Sequence, residues 1–167
     1  VFETFRPKIP ESYRSPELLF LGNIDPELQF DVLQKLPRPP LVACDTMNFW
    51  INGKRDALWR VLEQVDVLIV NDGEARALGE DSNLVKVAQK VLARGPKHLI
   101  IKRGEYGVLM FTGKQVFGAP AFPLEDVRDP TGAGDSFAGG FLGYLAATGN
   151  RSVDAFKQAI IFGSVMA

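Results

Sequence analysis

The sequence predicts an α/β fold in which a doubly wound, mainly parallel sheet is flanked by helices. Short apolar runs alternate with segments whose apolar residues recur at helical spacing, and this alternation is typical of strand-helix-strand units. Later in the chain, two strand-like runs are separated only by Thr112-Gly113-Lys114, which predicts an antiparallel hairpin appended to the sheet. We expect residues 1–167 to form a single domain of this kind.

The individual elements follow from local patterns along the chain. Compact apolar runs bounded by Gly, Pro or polar residues predict strands, and apolar residues at helical spacing predict helices. The expected strands are residues 18–22, 41–45, 65–70 and 98–102, with hairpin strands at 108–111 and 115–119. The expected helices are residues 27–36, 56–64, 74–78 and 84–94, followed by one that begins near residue 132 and an apolar helical pattern over 162–167. Residues 1–16 show no clear periodicity.

The composition excludes several classes of function. The 167 residues carry 19 basic and 20 acidic side chains, a net charge of −1, so the basic surface that nucleic-acid binding requires is missing. With one cysteine, Cys44, and one histidine, His98, neither a disulfide framework nor a zinc site is expected. Cys44 is expected to be buried and His98 to open a strand. There is no long apolar run and no signal-peptide pattern, so a cytoplasmic protein is expected.

A glycine-rich stretch, Asp129-Pro-Thr-Gly-Ala-Gly-Asp-Ser-Phe-Ala-Gly-Gly, is the most informative part of the chain. Gly132, Ala133 and Gly134 have little side-chain bulk, so their backbone N–H groups could approach an anion at the start of a helix. Asp135 follows directly. A carboxylate repels a neighbouring anion, so this position suits a group that handles a proton or a metal. A capped helix start, with Asp135 complementing the helix dipole, is the alternative interpretation.

Residue by residue, this stretch resembles the C-terminal signature of the ribokinase-like carbohydrate kinases, the PfkB family. The resemblance implies a ribokinase-like fold and transfer of a phosphoryl group from ATP, with Mg²⁺, to a hydroxyl of a sugar or sugar-like molecule. It also implies that Asp135 is the general base and that Gly132, Ala133 and Gly134 form an anion hole for the transferred group. A nucleoside acceptor is a further alternative within the same family.

A second motif, Asn71-Asp72-Gly73-Glu74, follows the expected strand at 65–70. Its spacing is nearly that of a helix capping box, with Asn71 as the N-cap and Glu74 at the third position. In the PfkB family, which this chain resembles, an Asn-x-x-Glu motif after the equivalent strand is implicated in holding Mg²⁺ and the nucleotide phosphates. The resemblance therefore implies that Glu74 lies on the metal side and that Asn71 contacts the phosphates or ATP, while the capping interpretation remains open.

A third motif, Lys102-Arg103-Gly104-Glu105-Tyr106-Gly107, joins a strand to a turn. It resembles the family's segment that lies along ATP, which makes Lys102, Gly104 and Gly107 candidate nucleotide contacts; a plain hairpin explains the local sequence equally well. Lys102 departs from the small or hydroxylated residue often found there, and its charge suits a phosphate. Because ligands of open α/β sheets bind at the strand C-termini, we expect Asn71, Gly104 and Asp135 to converge there.

Two further sets of polar residues are candidates for the same region. Asp129 and Thr131 resemble positions that bind a monovalent cation such as K⁺ in some family members, and capping of the turn is the alternative. Asp45 ends an expected strand before Thr46-Met47-Asn48, where family members often have Asp and Asn. These residues could line the crevice, although turn formation explains them nearly as well.

The resemblance extends from about residue 18 to residue 167 and corresponds to the central and C-terminal part of such a kinase. The family's N-terminal strand, Gly-Gly signature and β-sheet lid have no counterpart here, and the chain stops within a helical pattern, so truncation at both ends is expected. The competing interpretation is a non-catalytic nucleotide-binding module or an inactive fragment. An uncovered sheet edge would favour self-association.

Overall fold

A six-stranded mixed sheet forms the centre of the computed structural model, which describes residues 5–123, 125–126 and 131–167. The strands lie side by side in chain order: β1 (Leu18–Leu21), β2 (Leu41–Asp45), β3 (Val67–Asn71), β4 (His98–Lys102), β5 (Val108–Thr112) and β6 (Gln115–Ala119). Strands β1 to β4 are parallel, whereas β5 and β6 are antiparallel to their neighbours. The predicted α/β fold and its appended hairpin are thereby confirmed.

Helices cover both faces of this sheet. Their bounds are α1 (Pro26–Lys35), α2 (Asn48–Gly53), α3 (Arg55–Leu62), α4 (Asp72–Gly79), α5 (Leu84–Leu92), α6 (Ala133–Thr148) and α7 (Val153–Met166). Successive side chains of a strand point to opposite faces. Leu68 and Val70 accordingly belong to a core shared with α2 to α5, whereas Val67 and Ile69 belong to a core shared with α6 and α7. Along the chain, the helices α1 to α5 come before the β5–β6 hairpin, and the helices α6 and α7 of the other layer come after it.

Several elements differ from the sequence expectation; for example, α7 begins at Val153, well before the apolar pattern expected over 162–167. The short helix α2 was not expected, because its polar and aromatic sequence has little periodicity; it forms with Ile51 fully buried against the core. Strand β3 begins at Val67 rather than at residue 65. The amides of Gln64 and Val65 donate to carbonyls at the end of α3, so the chain completes a turn before it enters the sheet.

A buried carboxylate joins the strands at the end of the sheet opposite their C-termini. Asp66 accepts hydrogen bonds from the backbone N–H of Val42 at 3.0 Å and from Arg38 Nη2 at 3.1 Å. Its second cationic partner is Lys97 Nζ, at 2.8 Å. A buried charge is tolerated when it is paired and hydrogen-bonded in this way. This cluster holds the start of β2 close to the start of β4. It lies at the end of the sheet opposite the C-terminal ends of the parallel strands.

Smaller expectations about single residues are also met. Cys44 is fully buried on β2, and His98 is the first residue of β4. No helix in the described ranges combines the length and apolarity that a membrane span requires.

Candidate active site

A cleft of about 220 Å³ opens where the C-terminal ends of the parallel strands meet the start of α6. Open α/β sheets present ligands at this edge. The residues that line the cleft come from segments far apart in the sequence. They are Asn23, Asp45, Thr46, Met47, Ile69, Asn71, Glu74, Lys102, Gly132, Gly134 and Asp135.

The start of α6 contributes one wall of the cleft. Gly132 precedes the helix with φ of 82°, a left-handed conformation that favours glycine, and no side chain caps the helix there. The first N–H groups of a helix have no carbonyl partner within it, so these amides are suited to an anionic ligand. Asp135 lies in the first turn with an exposed side chain. An anion at the amides would therefore have a carboxylate beside it.

Asn71 and Glu74 form the wall at the end of β3. The backbone N–H of Glu74 donates to Asn71 Oδ1 at 2.8 Å, and the backbone N–H of Asn71 donates to Glu74 Oε2 at 2.8 Å. The capping box expected from their spacing is present. Both residues line the cleft as well, so the cap holds an amide and a carboxylate in place in the cleft that Asp135 also lines. Burial raises the pKa of Glu74, and the Asn71 amide and the charge of Lys102 oppose that rise.

Lys102 ends β4 directly beside Asn71, its register partner on β3. It is the one basic side chain among the described residues that line the cleft. Its ammonium lies against the backbone of α6: a Cβ placed on Gly134 would stand 2.7 Å from Lys102 Nζ. A glycine at position 134 therefore leaves the space that the ammonium occupies.

Asp45 and Thr46 form the floor of the cleft and had only weak support from sequence. Their side chains are 9% and 5% exposed, and Asp45 Oδ1 and Thr46 Oγ1 have no hydrogen-bond partner among the described residues. Burial raises the pKa of Asp45 to about 6; the charge of Lys102 opposes the rise, and the carboxylates of Asp135 and Glu74 add to it. A single available signal, polar residues directly after a fully buried strand, pointed to this pair.

Asn23 is a cleft residue that the sequence reasoning missed. It follows β1, and its Oδ1 accepts a hydrogen bond from Trp50 Nε1 at 3.0 Å, which ties the loop after β1 to helix α2. The buried Gln29 side chain donates to the carbonyl of Gly22 at 2.8 Å and fixes the same loop. The usable signal was again a polar residue directly after a strand.

Several predicted site residues lie elsewhere. Gly104 begins a short 3₁₀ turn after β4 and Gly107 follows that turn. Neither glycine is among the residues that line the cleft, so Lys102 alone represents the third motif there, beside Asn71 and Asp135. Ala133 is the first residue of α6 behind the lining. Thr131 is exposed just before Gly132, and Asp129 lies outside the described residues. Their assigned roles remain predictions.

The oxygen atoms that line the cleft suit a hard cation such as Mg²⁺, provided that a bound phosphate supplies most of the coordinating oxygens. Among the described residues, no three His, Cys, Asp or Glu side chains come close enough together to hold a metal ion by themselves. Mg²⁺ is commonly bound by one or two carboxylates together with waters and substrate phosphates. Glu74, whose position is fixed by the capping box, fits that requirement, and a phosphate at the start of α6 would supply the remaining oxygens.

Comparison with known proteins identifies a family that matches most of the chain. The family model described as pfkB family carbohydrate kinase matches residues 41–167. A cytidine kinase from Thermococcus kodakarensis is 35% identical over 140 residues, which are 80% of this chain and 49% of that protein. The chain spans about half the length of curated relatives that it matches.

Solved structures show the same architecture. The nucleoside kinase of Methanocaldococcus jannaschii, described as an archaeal member of the ribokinase family, superposes with a TM-score of 0.75 at 22% identity and covers 98% of this chain and 50% of its own. A putative ribokinase II from E. coli, in complex with ATP and Mg²⁺, superposes with a TM-score of 0.67 at 25% identity. That comparison covers 89% of this chain and 51% of the E. coli chain. The ribokinase-like fold is thereby confirmed.

Proposed function

Because the chain belongs to the pfkB family of carbohydrate kinases, we propose that it is the nucleotide-binding and catalytic part of an ATP-dependent kinase. The acceptor is a hydroxyl of a sugar or a nucleoside. One observation carries the proposal: Asp135 and the uncapped start of α6 share a single cleft with Asn71, Glu74 and Lys102. Phosphoryl transfer requires positioning and charge stabilisation with one carboxylate to orient the nucleophile, and this set contains each of those parts.

In the proposed reaction, Asp135 accepts the proton of the acceptor hydroxyl. The hydroxyl oxygen forms a bond to the γ-phosphorus of ATP while the bond from that phosphorus to the bridging oxygen breaks, and ADP leaves. The N–H groups at the start of α6, from Gly132 to Gly134, donate to the oxygens of the group in transit. Asp135 is suited to receive the proton because it lies in the first turn of that same helix.

Asn71 and Glu74 hold the nucleotide side of the proposed site. Asn71 would contact the phosphates, and Glu74 would hold Mg²⁺, directly or through water. When bound, Mg²⁺ neutralises charge on the phosphate oxygens. The capping box contributes by fixing both side chains before the nucleotide arrives, since each is already hydrogen-bonded to the backbone of the other residue. Nucleoside acceptors have support from the similarity to the cytidine kinase.

The test combines Mg-ATP calorimetry with a phosphoryl-transfer assay over a panel of sugars and nucleosides. We expect Asp135→Asn to reduce turnover by a factor on the order of 10³ or more while Mg-ATP affinity changes little, because loss of the base acts on the transition state. Asp154→Asn is the matched control: Asp154 also lies in the first turn of a helix, is exposed and pairs with Lys157. An equal loss of ATP binding and turnover in Asp135→Asn would contradict the assigned role.

The same assays separate the kinase from the competing function, a nucleotide-binding module. Binding of Mg-ATP without transfer to any acceptor would favour the module. Absence of both binding and transfer would favour an inactive fragment.

A further inference from the structure

The position of Lys102 is at odds with simple electrostatics. Its ammonium lies against Gly134 in the first turn of α6, and the N-terminus of a helix is the positive end of its dipole. The dipole destabilises a cation at this position by about as much free energy as it would stabilise an anion there. Arrangements that break a local rule commonly mark functional sites. An anion bound between the ammonium and the helix amides would turn two repelling features into two partners of the same ligand.

The carboxylates of the cleft do not account for this position. The charge of Lys102 opposes the rise in the pKa of Asp45 and of Glu74, but among the described residues no ion pair joins its ammonium to either carboxylate. The ammonium instead lies against the first turn of α6. Three carboxylates and one ammonium from the described residues line the cleft, so an entering phosphate meets a single positive side chain there.

The floor of the cleft gives an independent indication that a polar ligand belongs in it. Thr46 Oγ1 and Asp45 Oδ1 lack hydrogen-bond partners among the described residues, although both side chains are more than nine-tenths buried. Buried polar atoms are normally satisfied by protein, ordered water or ligand. Both residues line the cleft that Lys102 also lines, so buried polar groups without a protein partner lie at its floor.

We propose that Lys102 Nζ directly contacts the phosphoryl group that is transferred, and that Gly134 lacks a side chain so that the ammonium can reach this group beside the α6 amides. This inference rests on the proposed kinase function and deepens it. Lys102 then has a role distinct from that of Asn71 and Glu74: it donates hydrogen bonds and positive charge to the group in transit, where negative charge is spread over the phosphoryl oxygens.

The first test uses sodium tripolyphosphate, which carries the phosphates without adenine or ribose. Calorimetry at low salt, with and without Mg²⁺, compares the unmodified chain with Lys102→Met, Lys102→Arg and Lys114→Met. Lys114 is the control because it lies at the end of the sheet away from the cleft. It is in the turn between β5 and β6, beside the end of β5 that pairs with the start of β4. We expect Lys102→Met to weaken binding about 10- to 100-fold, as for loss of a charge-assisted hydrogen bond.

The other variants bracket that result. Lys102→Arg should bind within about fivefold of the unmodified chain, because it keeps the charge and the donors, and Lys114→Met should be unchanged. Circular dichroism confirms that each variant is folded. Equal affinities for Lys102→Met and Lys114→Met would overturn the inference. So would absence of tripolyphosphate binding to the unmodified chain.

A double-mutant cycle tests the role of Gly134. Gly134→Ala places a methyl group where the ammonium lies, and since that ammonium is the end of a flexible side chain, it moves away at little cost to folding. We expect Gly134→Ala to weaken tripolyphosphate binding when Lys102 is present and to have little further effect in Lys102→Met. An equal loss in both backgrounds would show that the methyl group acts on the anion directly, and it would overturn the proposed pairing.

Kinetics distinguish failure of this inference from failure of the proposed function. With a phosphorylated acceptor identified, Lys102→Met should lower kcat more than it raises KM for ATP, because the contact strengthens in the transition state. Transfer with normal kcat in Lys102→Met would refute the role of Lys102 and leave the kinase intact. Polyphosphate binding that depends on Lys102, without transfer to any acceptor, would refute the kinase and leave the phosphate contact intact.

Discussion

Replacement of Asp45 by Asn should change the pH dependence of stability. The Asp45 carboxylate is 9% exposed, and its Oδ1 atom has no hydrogen-bond partner among the described residues. Burial without full compensation raises its pKa from 3.8 to about 6. Because the folded state then binds this proton more tightly than the unfolded chain, stability falls as the pH rises from about 4 to about 6. Above that window the folded protein carries the full cost of the buried charge.

The size of this effect follows from the shift. A change from 3.8 to about 6 corresponds to about 3 kcal/mol. Asn has nearly the same shape and does not ionise, so Asp45→Asn should remove that cost. Lys102 loses an attractive neighbour, and the new amide also requires hydrogen bonds, so we expect a net gain of about 1–3 kcal/mol at pH 8. At pH 4 the gain should be close to zero, because Asp45 is protonated in the folded state.

Urea denaturation of both proteins between pH 4 and pH 8 measures the difference directly. Other titrating groups contribute equally to both proteins, so the pH dependence of the difference isolates Asp45. The exposed Asp154→Asn serves as the control and should shift stability by less than about 0.5 kcal/mol throughout. A difference between Asp45→Asn and the unmodified chain that stays constant from pH 4 to pH 8 would refute the reasoning.

Other substitutions test the packing around the site. Gly107 has φ of 81°, and a Cβ there would lie 2.0 Å from a carbonyl of β6, so Gly107→Ala should lower the free energy of unfolding by about 2–5 kcal/mol; an unchanged urea midpoint would contradict this. Asp66→Ala leaves two cations and a buried amide unpaired and should cost about 3–5 kcal/mol, whereas a cost below 1 kcal/mol would show the cluster to be peripheral. Asn71→Ala removes the cap of α4 and should cost about 1 kcal/mol. Glu74→Ala should weaken binding of Mg-ATP more than binding of metal-free ATP, because the proposed role of Glu74 is to hold the metal. Equal weakening of both in calorimetry would argue against metal binding by Glu74.

The candidate site was predictable where its signal is local. The run from Gly132 to Asp135 predicted a helix start made of small residues and followed by a carboxylate. This prediction was possible because the backbone conformation at a helix start depends on neighbouring residues. The three-residue spacing of Asn71 and Glu74 likewise predicted the capping box that the structure contains. The pattern of Gly104 to Gly107 predicted a turn, and a 3₁₀ turn is present. Gly104 and Gly107 are not among the residues that line the cleft, because the direction of a turn depends on the strands around it, and their role as nucleotide contacts stays a prediction.

The sequence by itself determined the class of the fold, most of its strands and helices along the chain, and the start of α6, since each depends on periodicity or on backbone preferences of adjacent residues. Only the tertiary structure decided which polar side chains meet. The parallel registers set Asp45 beside Ile69 and Asn71 beside Lys102, and packing of α6 over the sheet brings Gly134 against the Lys102 ammonium. Burial of Asp45 arises in the same way, from several segments closing around one carboxylate. These contacts join residues distant in the chain, and their energies depend on burial and separation, which no local pattern of residues specifies.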